Sequence, residues 1–250
     1  MKGLLVSDLH YTLKQFDWLI QVAGDYELVV IAGDHLDVAS SVTYDAQILV
    51  VLKYLRRLSA QTRLIVCSGN HDLNARDGNG EKTAAWMQRC RRLGIACDGE
   101  NLTLGDTLVT ICPWWDGPKA LAQIKQQIES DSALAHRRWI WIYHAPPDDS
   151  PVSWAGKRHF GDSELSSLIT KYEPDLVMTG HIHQSPFKPD GSWFDRIGKT
   201  WVFNPGRQIG PVPTHIEFDL DARTATWRWM EGIESVDLSA PAETALLSDG

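Results

Sequence analysis

Five short segments of this 250-residue chain place metal-ligand residue types directly after a strand-like apolar run. They read LLVSDLH at 4–10, VVIAGDHLD at 29–37, LIVCSGNHD at 64–72, IWIYHAPP at 140–147 and LVMTGHIH at 176–183. In α/β sheets, sites form beyond the carboxyl ends of the strands, so these five loops are expected to converge on one patch. Asp8 and His10 are two residues apart, which in extended backbone puts both side chains on one face, where they can grip one ion. His181 and His183 repeat that spacing. Carboxylate, imidazole and amide oxygen form a hard-to-borderline ligand set suited to Mn(II), Fe, Zn(II), Ni(II) or Co(II), and the lack of thiolate argues against a structural zinc site. Alone, an Asp-x-His pair is a solvated loop, His144 a satisfied core histidine and Asn70 a turn residue. Their recurrence at five strand ends is what singles them out. Glycines 33, 69 and 180 are expected to let the backbone turn sharply there.

The elements that must position these loops follow from apolar periodicity. Strands are expected at residues 3–7, 27–32, 63–68, 107–112, 138–143, 175–179, 200–204, 214–219 and 224–229, rich in Leu, Val, Ile, Thr and Trp. One-sided helices are expected through Phe16, Leu19, Ile20 and Ala23, and through Ile48, Val51, Leu52, Leu55 and Leu58. Three more run through Trp86, Cys90 and Leu93, from Pro118 through Ile128, and from an Asp162 N-cap through Leu165, Leu168 and Ile169. The alternation predicts an α/β fold. It stops near residue 199, so the last three strands are expected to close the sheet in antiparallel fashion. Residues 1–238 read as a single domain and 239–250 as a mobile tail.

The length suits one hydrophobic core, and 43% hydrophobic with 22% charged residues excludes a disordered or fibrous chain. The net charge of -8 and the absence of a long Lys/Arg run disfavour long nucleic acid as a partner. Cys67, Cys90, Cys97 and Cys112 show no CxxC spacing and read as reduced core thiols. No stretch is apolar enough to span a membrane, and the first ten residues do not read as a signal peptide, so a cytoplasmic address is expected.

The five segments together resemble the calcineurin-like metallophosphoesterase superfamily, whose signature runs D-x-H, G-D-x-x-D, G-N-H-[DE], a lone His, then G-H-x-H; every element is present in order over residues 8–183. The resemblance implies a four-layer α/β/β/α sandwich carrying two divalent or mixed-valence transition metal ions. It implies that Asp8, His10 and His183 hold the first ion, that Asn70, His144 and His181 hold the second, and that Asp34 bridges both. His71 is then a non-ligand that reaches the departing oxygen, with Asp37 orienting it. Asp72 either tunes His71 or caps the next turn. His35 reads as a surface or packing residue, with substrate contact as the alternative, and His136, His159 and His215 have no motif position. Asn204-Pro205-Gly206-Arg207 resembles the turn that follows the last histidine motif in many small members, which would bring Arg207 to a phosphate oxygen; otherwise it is a plain turn.

The function implied is hydrolysis of phosphate esters by a metal-bridging hydroxide, the ions lowering the pKa of water from ~15.7 to about 7, with His71 as general acid. No GxSxG elbow or GxxxxGK[ST] loop offers another chemistry. Eleven tryptophans are many for this length, and Trp114, Trp115 and Trp154 stand near the metal loops, so a small phosphodiester bearing an aromatic or heterocyclic group is the expected substrate. Adjacent residues point apart, so at most one of Trp114 and Trp115 is expected to face the site. The same residues also fit a phosphomonoesterase, a metal-retaining binding scaffold, or core packing of all three tryptophans.

Overall fold

Strands that are apolar on both faces need a packed layer on either side. The central strands of this chain are of that kind. A computed structural model describes residues 1–240 and the backbone of residues 246–247. In chain order the elements are β1 (Lys2–Val6), α1 (Leu13–Val22), β2 (Leu28–Ala32), α2 (Tyr44–Ser59), β3 (Arg63–Cys67), β4 (Ala75–Arg76), β5 (Lys82–Thr83), α3 (Met87–Arg92), β6 (Asn101–Leu104), β7 (Thr107–Ile111), α4 (Pro118–Ser132), β8 (Arg138–Ile142), α5 (Ser163–Tyr172), β9 (Leu176–Met178), β10 (Phe194–Ile197), β11 (Thr200–Phe203), β12 (His215–Asp219), β13 (Thr224–Trp229), β14 (Gly232–Asp237) and β15 (Leu246–Leu247).

These strands form two large sheets. One has the order β15-β14-β13-β12-β1-β2-β3 and the other β10-β11-β9-β8-β7-β6. The strands carrying the five loops run parallel within each sheet: Leu5 pairs with Val30 and Val30 with Ile65, while Ile142 pairs with both Ile111 and Met178. Alternate residues divide between layers. Leu5, Val30 and Ile65 of one sheet meet Ile111, Ile142 and Met178 of the other in a central core. Leu4, Ile31 and Val66 face the other way, onto Phe16 and Leu19 of α1 and Ile48 and Leu55 of α2. Trp141 and Val177 likewise pack on Ile124 and Ile128 of α4 and Leu165 and Ile169 of α5. The order helix, sheet, sheet, helix fits the four-layer sandwich. Each fully buried Leu, Ile or Phe contributes roughly 1.5–3 kcal/mol of transfer free energy, so these three clusters hold the loops on a rigid base. Asp162 caps α5, its Oδ1 accepting from the amides of Glu164 and Leu165, and the half-buried Trp115 donates its Nε1–H to the other carboxylate oxygen at 2.7 Å.

The structure corrects the expected end of the sheet. The strand at 200–203 joins the second sheet, parallel to β9, because the unforeseen β10 forms a hairpin with it and reverses the chain first. The antiparallel extension consists of β12, β13 and β14, beside β1. Within the expected tail, the backbone of 246–247 pairs with β14, while 241–245 and 248–250 lie outside the described residues. All four cysteines are buried free thiols. Among the described residues, no helix is long and apolar enough to cross a membrane.

Candidate metal centre

The five loops leave the carboxyl ends of β1, β2, β3, β8 and β9; backbone hydrogen bonds join the first to the second and the fourth to the fifth, and carboxylates tie in the rest. Asp8 N donates to Gly33 O, His10 N to Asp34 O, Tyr11 N to His35 O, and Gly180 N to His144 O. The His181 amide donates to the Asp8 carboxylate at 3.0 Å. Asp8, His10, Asp34 and His181 have φ of 56°, 42°, 54° and 70°. The i, i+2 pairs therefore do not share a face through extended backbone, as their spacing suggested; they lie past the strand ends in left-handed turns. Non-glycine residues there cost about 1–3 kcal/mol each and cluster at functional sites. Gly33, at φ 89°, is the glycine whose turn excludes a side chain. Gly69 and Gly180 act by close approach instead: a Cβ on Gly69 would lie 2.2 Å from Asp34 Oδ1, and one on Gly180 2.6 Å from Asp8 Oδ2.

The donor atoms fall into three groups, two of them sharing Asp34 and a third made of His10, Asp37 and His71. Asp8, His10, Asp34 and His183 offer ligand atoms within 4.8 Å of one another, and so do Asp34, His144 and His181. Asp34 Oδ2 stands 3.6 Å from His10 Nε2 and 3.2 Å from His144 Nε2. His144 Nδ1 is 2.7 Å from the Ala32 carbonyl, which fixes one ring proton on Nδ1 and turns Nε2 into the cluster, where a metal ion would replace the second proton that, against burial, the two carboxylates favour. Two buried atoms, that Nε2 and Asn70 Oδ1, have no hydrogen-bond partner. His10 Nε2 and His183 Nε2 are 3.0 Å apart, a spacing at which two lone pairs repel unless a cation or proton lies between them. Unpartnered buried atoms beside paired carboxylates are what a pair of divalent ions would satisfy, so the donor set fits such ions.

The electrostatics agree. Burial opposes ionisation of Asp8, but the His144, His10 and His183 rings outweigh it and hold the carboxyl well below the usual range. Asp34 is lowered in the same way, His144 again outweighing burial. Against its own burial, the two carboxylates push His144 up to about 9, while burial and the neighbouring His144 push His181 down to about 4. The site is a concentrated negative potential with a lone-pair lining.

Around this cluster, His71 turns its ring edge to His10 at a centroid distance of 4.5 Å. Its amide donates to Asp34 Oδ1 and its carbonyl accepts from the Tyr44 hydroxyl. No hydrogen bond joins it to the Asp37 carboxylate, which accepts instead from the Ala39 amide; the ring's own contact is the Val38 amide, which donates to Nδ1 at 3.5 Å. Burial lowers the His71 pKa, against the pull of Asp34, Asp72 and Asp37. Asp72 neither touches His71 nor caps a following turn. Its carboxylate ties the second loop to the third, accepting from the amides of His35, Leu36 and Gly69 and from His35 Nδ1. His35 is fully buried, which removes both its surface and its substrate readings. Arg207 donates Nε to the Asp8 carbonyl and its amide to the His183 carbonyl, and the buried Asn204 amide holds the carbonyls of Val152 and Ile182. Trp114 stands against His181 and His144, at centroid distances of 5.2 and 5.8 Å, with its amide held by Ser68 Oγ. Trp115 packs away from it on the α4–α5 core. Trp154 bonds the Pro189 carbonyl and tilts on His159. The sequence reading missed Tyr44 and Gln47, the latter gripping the Asp37 backbone at both amide and carbonyl. Both sit at the start of a helix and carry no local mark of that role.

Residues 1–220 match the calcineurin-like phosphoesterase superfamily domain. A search of curated proteins found no match. Among solved structures, TT1561 of Thermus thermophilus is similar at 14% identity and a TM-score of 0.59, covering 95% of this chain and 98% of that one. The purple acid phosphatase PPD1 from yellow lupin (Lupinus luteus) seeds is similar at 12% identity and a TM-score of 0.55, covering 96% of this chain and 52% of that one. At such identities these two likenesses concern the fold.

Proposed function

The chain belongs to the calcineurin-like phosphoesterase superfamily, a class of metal-dependent phosphoester hydrolases, and on that premise we propose that it hydrolyses small phosphodiesters bearing an aromatic or heterocyclic group. The observation that carries the hydrolytic reading is the pair of unpartnered buried atoms, Asn70 Oδ1 and His144 Nε2, the latter 3.2 Å from the Asp34 carboxylate that two of the donor groups share. Asp8, His10 and His183 would hold one ion, Asn70, His144 and His181 the other, and Asp34 both. Bound there, two divalent ions would supply an acidified water and positive charge against the phosphoryl oxygens.

The remaining work falls to the chain. His71 lies beside His10 and outside the two ligand groups that share Asp34, so its ring is placed to give a proton to the ester oxygen as the P–O bond breaks. Arg207, already anchored through Nε to the first loop, has its terminal guanidinium nitrogens for a non-bridging phosphate oxygen. Trp114 is the half-buried aromatic face nearest His181, and a base or other flat ring stacking there supports the diester reading, since a diester carries a second organic group to be bound. The test is the ratio of kcat/KM for a small aromatic diester, the matching monoester and long single-stranded DNA, all with one metal. The diester should lead, and Trp114→Ala should lower its kcat/KM by about tenfold. A monoester or polymer preferred over the diester would reject the substrate class, leaving the hydrolytic reading in place.

A further inference from the structure

A second cavity, of about 390 Å³, opens at the opposite end of the molecule, where β8, β9 and β11 begin. Those strands run in parallel towards the metal cluster, and Arg138 precedes His144 by six residues, so roughly 20 Å of strand separates the two sites. In a chain of net charge -8, the walls of this cavity carry Arg138, Arg196, Lys199 and Arg223 against a single carboxylate, Asp175, over an apolar floor that includes Trp201.

These cations are poorly matched by protein acceptors. Among the described residues, Arg196 and Arg223 have no carboxylate within 4.0 Å, and their guanidinium bonds go to the Ala240 and Leu238 carbonyls. Arg196 Nε is buried without a partner, and the guanidinium lies over the Trp201 ring at 5.2 Å, which fixes its plane. Arg138 reaches Asp221 only at 3.5 Å and Lys199 reaches Glu173 only at 3.8 Å, in exposed pairs of little strength. Asp175 is engaged by the Trp139 amide. Converging cations with unmet donors, one pre-oriented by an aromatic ring, recognise phosphate, because the guanidinium fork matches two phosphate oxygens at once. The volume is that of a small-ligand pocket, and its apolar floor suits an organic body more than a bare anion.

We infer that this basic cavity is a second binding site, separate from the metal centre, for a small phosphorylated organic ligand of nucleotide size. The probe is α,β-methylene ADP, which resists hydrolysis at the bridge, titrated calorimetrically into the full metal-loaded chain and again after addition of excess chelator. A binding component that survives chelation is expected. It should weaken about tenfold in Arg196→Gln and in Lys199→Gln, the cost of one charge-assisted contact, and remain unchanged in Arg207→Gln. Lys199 is 58% exposed, so its variant keeps the test valid if Arg196→Gln fails to fold. Inorganic phosphate competing as strongly as the probe would assign the cavity to the free anion and reject the organic ligand. Loss of all binding on chelation, or affinities within about twofold of the parent in both cavity variants, would overturn the site.

Discussion

The His71 amide donates to the Asp34 carboxylate, yet the two side chains face different chemistry. Asp34 belongs to both ligand groups, so Asp34→Asn should lower metal content and turnover together. His71 lies outside the two groups that share Asp34, so His71→Ala should keep the metal while turnover of substrates with poor leaving groups falls about 10²–10⁴-fold. With a nitrophenol leaving group the loss should shrink, since that group departs without a proton. Metal analysis by mass spectrometry beside the two rates separates these roles, and loss of metal from His71→Ala would show the assignment to be wrong. The ligand candidates were legible because each follows a strand end. Their supports were not, because Tyr44 meets His71 from 27 residues away and Asp72 gathers amides 36 and 37 residues back. Only folding reveals such partners.

At the level of elements, the site depends on loops brought closer than side chains normally permit. Gly69→Ala would force its Cβ to within 2.2 Å of Asp34 Oδ1 and 2.7 Å of the Asp34 amide, so the bridging carboxylate or the third loop must shift. Metal affinity should fall about 10–100-fold, as when a supporting contact of a ligand is lost, while far-ultraviolet circular dichroism stays near that of the parent. An unchanged metal titration would mean that the loop yields freely and the close approach is incidental. The same elements explain what sequence could locate. Strands buried on both faces and one-sided helices announced themselves, whereas β10 and β14 are half-exposed and mix polar with apolar residues without a clear period, and the alternation of β6 runs for only four residues. Missing β10 is what misplaced β11, since a chain reversal without its hairpin partner cannot be read from β11 alone. The left-handed turns at Asp8 and His10 were equally silent, because Asp and His, though enriched in that region, adopt it too seldom for either residue alone to mark it.

For the whole molecule, a net charge of -8 describes neither end of the sandwich. Arg138, Arg196, Lys199 and Arg223 are scattered in sequence and meet only in three dimensions, while Asp8 and Asp34 sit buried at the opposite pole. The buried Asn70 Oδ1 left without a partner, and the His10 and His183 nitrogens held 3.0 Å apart, cost folding free energy that a cation recovers. Ligands that bind only the folded state stabilise it, by about 2.7 kcal/mol at a hundredfold excess over Kd. At roughly 2–4 °C per kcal/mol for a chain of this size, a Tm rise of about 5–10 °C is expected when Mn(II) or another first-row divalent ion is added to chelator-stripped protein. Activity should appear over the same range of metal concentration, because one set of ligands governs both. Asp8→Asn removes a charge from the cluster while preserving its shape. Because burial is outweighed by the histidine rings, which hold Asp8 well below the usual carboxylate range, its charge stabilises the fold near neutral pH. The variant should therefore lower the Tm of the stripped protein and also blunt the Tm rise on adding metal, whereas simple damage to the core would lower both Tm values and leave the rise intact. Equal Tm values for stripped and metal-loaded protein, or full activity after stripping, would contradict the coupling.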